Sequence, residues 1–358
     1  MTPLRIGVIG CGRIARAVHL PVLGRLPGAR VVALAEPDES SRSAASAIAR
    51  GATAYADYAD LLRAGGVDAV VICAPSHLHV PVATAAFDAG LHVYLEKPIA
   101  LSVAEGERLV EAWRRARKVG MIGFNFRFHP QVVRLRERLR DGAIGTPLGV
   151  RAIFSILPHE LPEWKRTRGS GGGVLLDLAS HHIDLVHYLF ADDPVVRVFA
   201  SVRSLSGEGD HAAVQLELAS GLMVQLFVSL GTVDEHRIEI VGTTGKLVMD
   251  RTELVRPDHV PATQQGARAR RLARALAALE PARVLRSPGM EPSFGAALGA
   301  FVWSASGNAF GGPDLLDGLR SLAVVEAAER SAASGAAEGV AWPSALPAPR
   351  PMATSAGR

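Results

Sequence analysis

Three side chains have the types and spacing to move a proton and steady a developing negative charge. Lys97 closes residues 90–98, GLHVYLEKP, in which a short β-branched and aromatic run leads directly into Glu96-Lys97-Pro98. Asp177 and His181 lie four apart in residues 174–189, where Asp177, His181, Asp184 and Tyr188 recur at helical spacing and share one face, with Leu175, Leu178, Leu185 and Leu189 opposite. A carboxylate one turn from an imidazole can hydrogen bond to it, fix its orientation and raise its basicity, and histidine titrates near neutral pH. A lysine ammonium favours an oxyanion beside it. The set suits deprotonation of a hydroxyl. His181, His182 and Asp184 offer a metal set on paper. Successive helical residues point about 100° apart, however, and do not easily share one ion, so no metal is expected.

The elements that must position these groups begin at the N-terminus. The apolar run Leu4–Ile9 stops at Gly10-Cys11-Gly12-Arg13-Ile14-Ala15, and a helical pattern follows through Val18, Val22 and Leu26. In a strand, glycine turn and helix of this kind, Gly10 permits the tight turn, Gly12 lets the backbone approach a pyrophosphate, and Ala15 allows close helix-to-strand packing. Arg13 and Ile14 open the helix toward the phosphates. A GxGxxA turn alone also describes a structural loop, so the context decides. A second run, Ala29–Ala35, ends in Glu36, where this fold binds the adenosine ribose hydroxyls. A carboxylate there repels a 2′-phosphate, which predicts NAD, while Arg42 leaves some room for NADP.

Helices at 40–50, 58–64 and 80–89 alternate with strands at 52–55, 69–74 and 91–95, which predicts an α/β class with a doubly wound parallel sheet. The loop Ala74-Pro75-Ser76-His77-Leu78-His79 falls at the C-terminal end of a strand, the edge where open α/β sheets bind ligands. It is expected to cover the cofactor through Ala74, Pro75, Ser76 and His79, although His77 and His79 also suit structural roles near a helix start. Glu96 and Lys97 close the next strand at the same edge, as cofactor and substrate contacts. The alternative for Lys97 is a surface lysine before a turn proline.

After a helix at 102–119 and a strand at 121–124 the chain leaves the dinucleotide domain, giving a division into residues 1–122, 123–338 and a disordered Pro-, Ala- and Ser-rich tail at 339–358. Asn125 and Arg127 supply an amide and a fixed cation for a polar substrate, or Arg127 bridges the domains. His159, Trp164, Lys165 and Arg166 form either pocket wall or subunit contact, and Arg166 or Arg168 could take an anionic substituent. Segments 211–218 with 223–229, and 237–241 with 246–249, read as two hairpins. The arginine-rich segment 256–286 suits a solvated helix or a subunit contact.

The combination of GCGRIA, CAPSHLH, EKP, GFNFRFHP and GGGVLLDLASHHID resembles the family of glucose-fructose oxidoreductase and inositol dehydrogenase, from Arg5 to about Gly335. The resemblance implies a Rossmann domain followed by an α+β domain with a large, mainly antiparallel sheet, and homodimers or homotetramers. It implies a lysine, here Lys97, that contacts the reacting hydroxyl before a commonly cis proline. It makes His181 the catalytic histidine and Asp177 its acidic partner, in chemistry that needs no metal. The expected activity is NAD(H)-dependent interconversion of a secondary alcohol and a ketone on a cyclitol, sugar or sugar-containing metabolite. The alternatives are an NAD-dependent glycosidase working through transient oxidation and a non-catalytic NAD(H) or metabolite sensor.

Composition agrees with this reading. At 358 residues, 48% hydrophobic and 21% charged, the chain has apolar material for two cores, and its net charge of +4 calls for no nucleic-acid surface. Cys11 and Cys73 fit neither a disulfide framework nor a zinc spacing. No apolar run approaches membrane-spanning length, and the start lacks a signal-peptide pattern, so a reducing, cytoplasmic setting is expected.

Overall fold

The computed structural model describes residues 2–158, 160–251, 259–261 and 291–346. The backbone divides into two compact units that are discontinuous in sequence. The first takes residues 2–129, 169–171 and the described part of 285–322; the second takes the described parts of 130–168 and 172–284, and residues 323–346. A contiguous division at 122/123 does not anticipate this.

In the first unit β1 (Leu4–Ile9) runs through a glycine turn into a π-helical turn, Ala15–His19, that continues as α1 (Leu20–Leu23). Then follow β2 (Ala29–Ala35), α2 (Glu39–Ile48), β3 (Thr53–Tyr55), α3 (Tyr58–Ala64), β4 (Ala69–Ile72), α4 (His79–Asp88), β5 (His92–Leu95), α5 (Val103–Ala116) and β6 (Gly120–Ile122). The six strands pair in parallel in the order β3-β2-β1-β4-β5-β6, the doubly wound arrangement whose order reverses beside β1.

Local signals set the helix starts. Asp38 accepts from the Ser41 amide (2.7 Å), Asp57 from Ala59 (2.8 Å) and Ser102 from Glu105 (3.3 Å), each satisfying an otherwise orphan N–H. Arg117, at φ 52°, ends α5 in the left-handed region.

The second unit holds α6 (Pro130–Arg140), β7 (Pro147–Ser155), a π-helical turn at Leu175–Ala179 that continues as α7 (Ser180–Leu189), and then β8 (Val195–Arg203), β9 (His211–Leu218), β10 (Met223–Ser229), β11 (Glu235–Gly242), β12 (Gly245–Asp250) and β13 (His259–Pro261). With β14 (Glu338–Gly339) they form a sheet ordered β13-β12-β11-β7-β10-β9-β8-β14, in which β7 and β10 run parallel and the other neighbours antiparallel. The period of two is clean: Val150, Ala152 and Phe154 are buried, as are Val214, Leu216 and Leu218, while Arg151, Ala213 and Gln215 are exposed. Leu185, Val186 and Leu189 of α7 share a small apolar cavity with Val150, Leu216, Leu226 and Ile238, so α7 covers this face.

Two late helices complete the chain, α8 (Pro292–Ala305) and α9 (Leu315–Ser334). Ala297, Leu298, Phe301 and Val302 of α8 are buried in one core cluster with Ile6, Val8, Val71 and Tyr94, and the rings of Tyr94 and Phe301 meet edge to face at 5.7 Å. The first unit therefore needs residues far beyond position 122 to close its core. The start of the expected tail is also packed. Glu338 pairs with Val198, the Trp342 ring lies 5.9 Å from that of His187, and Leu346 is buried. Proline-rich composition concealed one aromatic and one aliphatic anchor. Residues 347–358, and the arginine-rich segment apart from β13, lie outside the described residues.

Candidate active site

In the first unit the glycine turn is dictated by contact. Gly10 has φ 84°, and a Cβ there would fall 2.5 Å from the Ala74 amide nitrogen, so no side chain is tolerated where the turn closes on the end of β4. Beside Gly12 a Cβ would meet nothing within 4 Å, which leaves the open space a pyrophosphate needs. Glu36 closes the turn from the other strand. Its Oε2 accepts from the Cys11 amide (2.7 Å) and its Oε1 from the Asp38 amide (3.1 Å), leaving further lone pairs for ribose hydroxyls. Arg42 donates through Nη1 to the Glu36 carbonyl (2.7 Å) and the Pro37 carbonyl (3.0 Å). Arg13 is exposed and Ile14 half-buried. A cradle that excludes side chains, a fixed carboxylate at the tip of β2 and open backbone at Gly12 together fit a dinucleotide.

Both thiols in this region are buried, and burial pushes Cys11 up to about 12 and Cys73 well above its ordinary range. They remain protonated.

The loop after β4 keeps Ala74 and Ser76 buried, Pro75 half-buried and His77 exposed. His79 is 1% exposed, with Nδ1 2.6 Å from the Pro98 carbonyl and Nε2 2.9 Å from the Ala74 carbonyl. Both ring nitrogens face backbone carbonyls. Lys97 is half-buried just past the end of β5, before a cis bond to Pro98. Glu96 carries its Oε1 2.7 Å from His19 Nε2.

Asn125 and Arg127 are engaged within their own unit. Asn125 Nδ2 donates to Ser293 Oγ (2.8 Å), whose hydroxyl donates to Glu291 (2.9 Å), and the Arg127 guanidinium pairs with Asp317 at 3.2 Å. Their partners are 168 and 190 residues away in sequence, so no local pattern could reveal that these groups are committed to holding segments together.

In the second unit Asp177 sits inside the π turn. There the Ser180 amide reaches back five residues to the Leu175 carbonyl, which inserts a residue into the helical repeat. The expectation of one uniform stripe at 3.6 residues per turn is corrected accordingly. Lys165 Nζ donates to both carboxylate oxygens of Asp177, each at 2.9 Å, and lies 5.4 Å from the centre of the Trp164 ring. Gly172 makes this possible: a Cβ there would fall 2.2 Å from the Lys165 carbonyl oxygen. The glycine run thus lets the Trp164-Lys165 turn fold onto the start of the helix. The sequence places Lys165 in the pocket segment without a role of its own, and the Trp-Lys pair shortly before Gly-Gly-Gly is the signal for this contact.

The adjacent histidines have different surroundings. His181 is 9% exposed, with its ring 6.1 Å from Phe154. His182 is 2% exposed, packed on Phe154 (5.3 Å) and His236 (4.9 Å), and burial followed by the nearby Arg251 charge lowers its pKa to about 3. His182 is a neutral core residue. Asp184 is buried, and the Arg136 guanidinium lies 4.0 Å above the Tyr188 ring. Arg168 pairs with Glu329, and Arg166 donates to the Leu161 carbonyl (3.3 Å), so both suggested anion receptors have protein partners. His159 lies outside the described residues. Among the described residues no group of three or more His, Cys, Asp or Glu is placed to hold a metal ion, and no helix is long and apolar enough to cross a membrane.

Comparison with known proteins agrees with this geometry. Residues 4–124 match the model of an oxidoreductase family with an NAD-binding Rossmann fold, and residues 132–248 match the GFO/IDH/MocA C-terminal domain. The chain is 33% identical over 267 residues to inositol 2-dehydrogenase 1 of Saccharopolyspora erythraea, covering 71% of this chain and 76% of that protein. It is 30% identical over 345 residues to inositol 2-dehydrogenase 2 of the same organism, covering 93% and 94%. A levoglucosan dehydrogenase solved with NADH shares the fold, with a TM-score of 0.82 at 22% identity over 96% of this chain and all of that one.

Proposed function

The chain belongs to the GFO/IDH/MocA oxidoreductase family, and from that premise we propose that it is an NAD(H)-dependent dehydrogenase interconverting a secondary alcohol and a ketone on a cyclitol, sugar or sugar-containing metabolite. The observation that carries the reading is Lys97, half-buried at the C-terminal end of a central strand in a sheet whose glycine turn fits a dinucleotide. Inositol dehydrogenases among the relatives support the substrate class.

The cofactor, when bound, supplies the hydride acceptor or donor. In the oxidative direction His181 accepts the hydroxyl proton, Lys97 stabilises the developing alkoxide through its ammonium, and Asp177 orients the imidazole. Trp164 offers an aromatic face to the substrate. NAD is favoured over NADP because Glu36 presents a carboxylate at the tip of β2 while Arg42 is turned onto backbone carbonyls. Asn125 and Arg127, tied to Ser293 and Asp317, are assigned no substrate contact.

The test is NADH formation by the purified protein with NAD and a panel of inositols, hexoses, uronic acids and nucleotide sugars, repeated with NADP. Turnover with NAD that disappears in Lys97→Ala, with NADH binding retained, is the expected result. Binding of NADH without turnover on any polyol refutes the reading, and sugar release without net NADH assigns the glycosidase chemistry instead.

A further inference from the structure

Two buried histidines outside the acid–base set bracket the Lys97 turn. His19 is fully buried at the end of the first π turn, where its ring meets Tyr94 and Phe294 edge-on, each at 5.8 Å. Its Nε2 lies 2.7 Å from Glu96 Oε1, and its Nδ1 is buried without a hydrogen-bond partner. The ring therefore spends its polar capacity on Glu96 and leaves the other nitrogen among aromatic rings, a desolvation cost that packing alone gives no reason to accept.

Glu96 is pressed in from the opposite side, since a Cβ on Gly123 would lie 3.1 Å from its Oε2. Burial pushes the Glu96 carboxyl up, but the His19 bond and charge, with the charges of Lys97 and His79, outweigh it and hold the group below its ordinary range. Cys73 and Tyr94 also face it, and burial drives both well above theirs. Glu96 is the anion of the cluster. On the far side of Lys97, His79 sits between the Pro98 carbonyl, 2.6 Å from Nδ1, and the Ala74 carbonyl, 2.9 Å from Nε2; burial lowers its pKa, and the neutral ring donates to one of them, the protonated ring to both.

We propose that His19 is a positioning residue of the dehydrogenase site, pinning Glu96 as a carboxylate immediately before Lys97, while His79 ties the residue immediately after it to the cofactor loop. The inference rests on the activity proposed above. A lysine side chain is a flexible four-carbon stem bearing a point charge. Anchoring both neighbours fixes where the stem starts, and the adjacent anion favours its charged form.

The test compares His19→Leu with His19→Gln, whose amide can still donate to Glu96, in the full-length protein. Without the His19 donor, less opposes the burial of Glu96 and the carboxyl protonates at higher pH. Below that pH the anion beside the Lys97 ammonium is lost. His19→Leu should bind NADH within about threefold of wild type, lose kcat by about 10–100-fold with little change in KM, and move the acid limb of kcat/KM upward by about one pH unit. His19→Gln should recover most of both.

A second readout needs no turnover. Carbodiimide labelling of the Glu96 carboxyl against pH, followed by peptide mass spectrometry, should titrate at higher pH in His19→Leu than in wild type or His19→Gln. A folded His19→Leu with wild-type kcat and wild-type Glu96 labelling overturns the proposal, as does a His19→Gln protein as impaired as His19→Leu. Should His19→Leu fail to fold, His19→Asn, with an amide too short to reach Glu96, replaces it under the same criteria. A wild-type protein silent on every substrate refutes the proposed activity, and the Glu96 labelling titration then decides the role of His19 by itself.

Discussion

Each unit carries its candidate chemistry on or beside a π-helical turn, and the two turns are put to different use. Ala15–His19 ends on a histidine that reaches a buried carboxylate on the neighbouring strand end, whereas Leu175–Ala179 holds a carboxylate at its middle that is met by a lysine from a preceding loop. The holding forces differ. Glu36 and His79 in the first unit are fixed by backbone amides and carbonyls, groups that the fold supplies whatever the side chains. Asp177 in the second is fixed by the side chain of Lys165, itself 28% exposed. A carboxylate held by backbone depends on the fold, whereas one held by a loop side chain can change without disturbing the sheet.

That contrast can be broken most sharply at the reacting groups. Lys97→Ala and His181→Ala should each reduce kcat/KM by about 10³–10⁴-fold with NADH affinity nearly unchanged, measured by steady-state kinetics and fluorescence titration. His182→Phe, one residue along, should leave turnover within about threefold of wild type; comparable losses at both positions would end the distinction between a chemical and a core histidine.

Next is the core of the first unit. Phe301→Ala should destabilise the protein by about 3–5 kcal/mol in denaturant unfolding, because α8 completes that core. Acid stability distinguishes the units again. The folded-state pKa of His182, about 3, lies below its ordinary 6.5, so the unfolded chain takes up a proton across that window and the folded chain does not. Stability should fall as pH drops from about 6.5 toward about 3, and His182→Phe should remove a loss on the order of 4 kcal/mol.

Smaller effects test the two ways of holding a carboxylate. Lys165→Met should lower kcat/KM about tenfold without altering NADH affinity. Glu36→Ala should weaken NAD about tenfold while sparing NADP, read as the ratio of the two dissociation constants. An unchanged ratio would remove Glu36 from cofactor selection.

The strands β1, β2, β9 and β10 and the helix α3 were legible to the residue, because periods of two and 3.6, glycine turns and helix caps act over a few positions. The glycine turn and Glu36 were legible for the same reason. The π turns were not, since a one-residue insertion leaves the apolar pattern of a short helix nearly intact. Asn125 and Arg127 read as substrate groups because polar residues just past a domain end suggest a site, and nothing nearby in sequence announces Ser293 or Asp317.

The sequence by itself determined the class of fold, through periods and turns that act over a few positions, and marked Lys97, Asp177 and His181 as candidates. Only the tertiary structure decided which polar groups were already engaged. It brought His19 to Glu96 across 77 residues, Lys165 onto Asp177 through the space left by Gly172, and α8 back into the first core. Those pairings depend on strand order and on the packing of remote segments, and a hydrogen bond carries no trace of its partner in the local sequence.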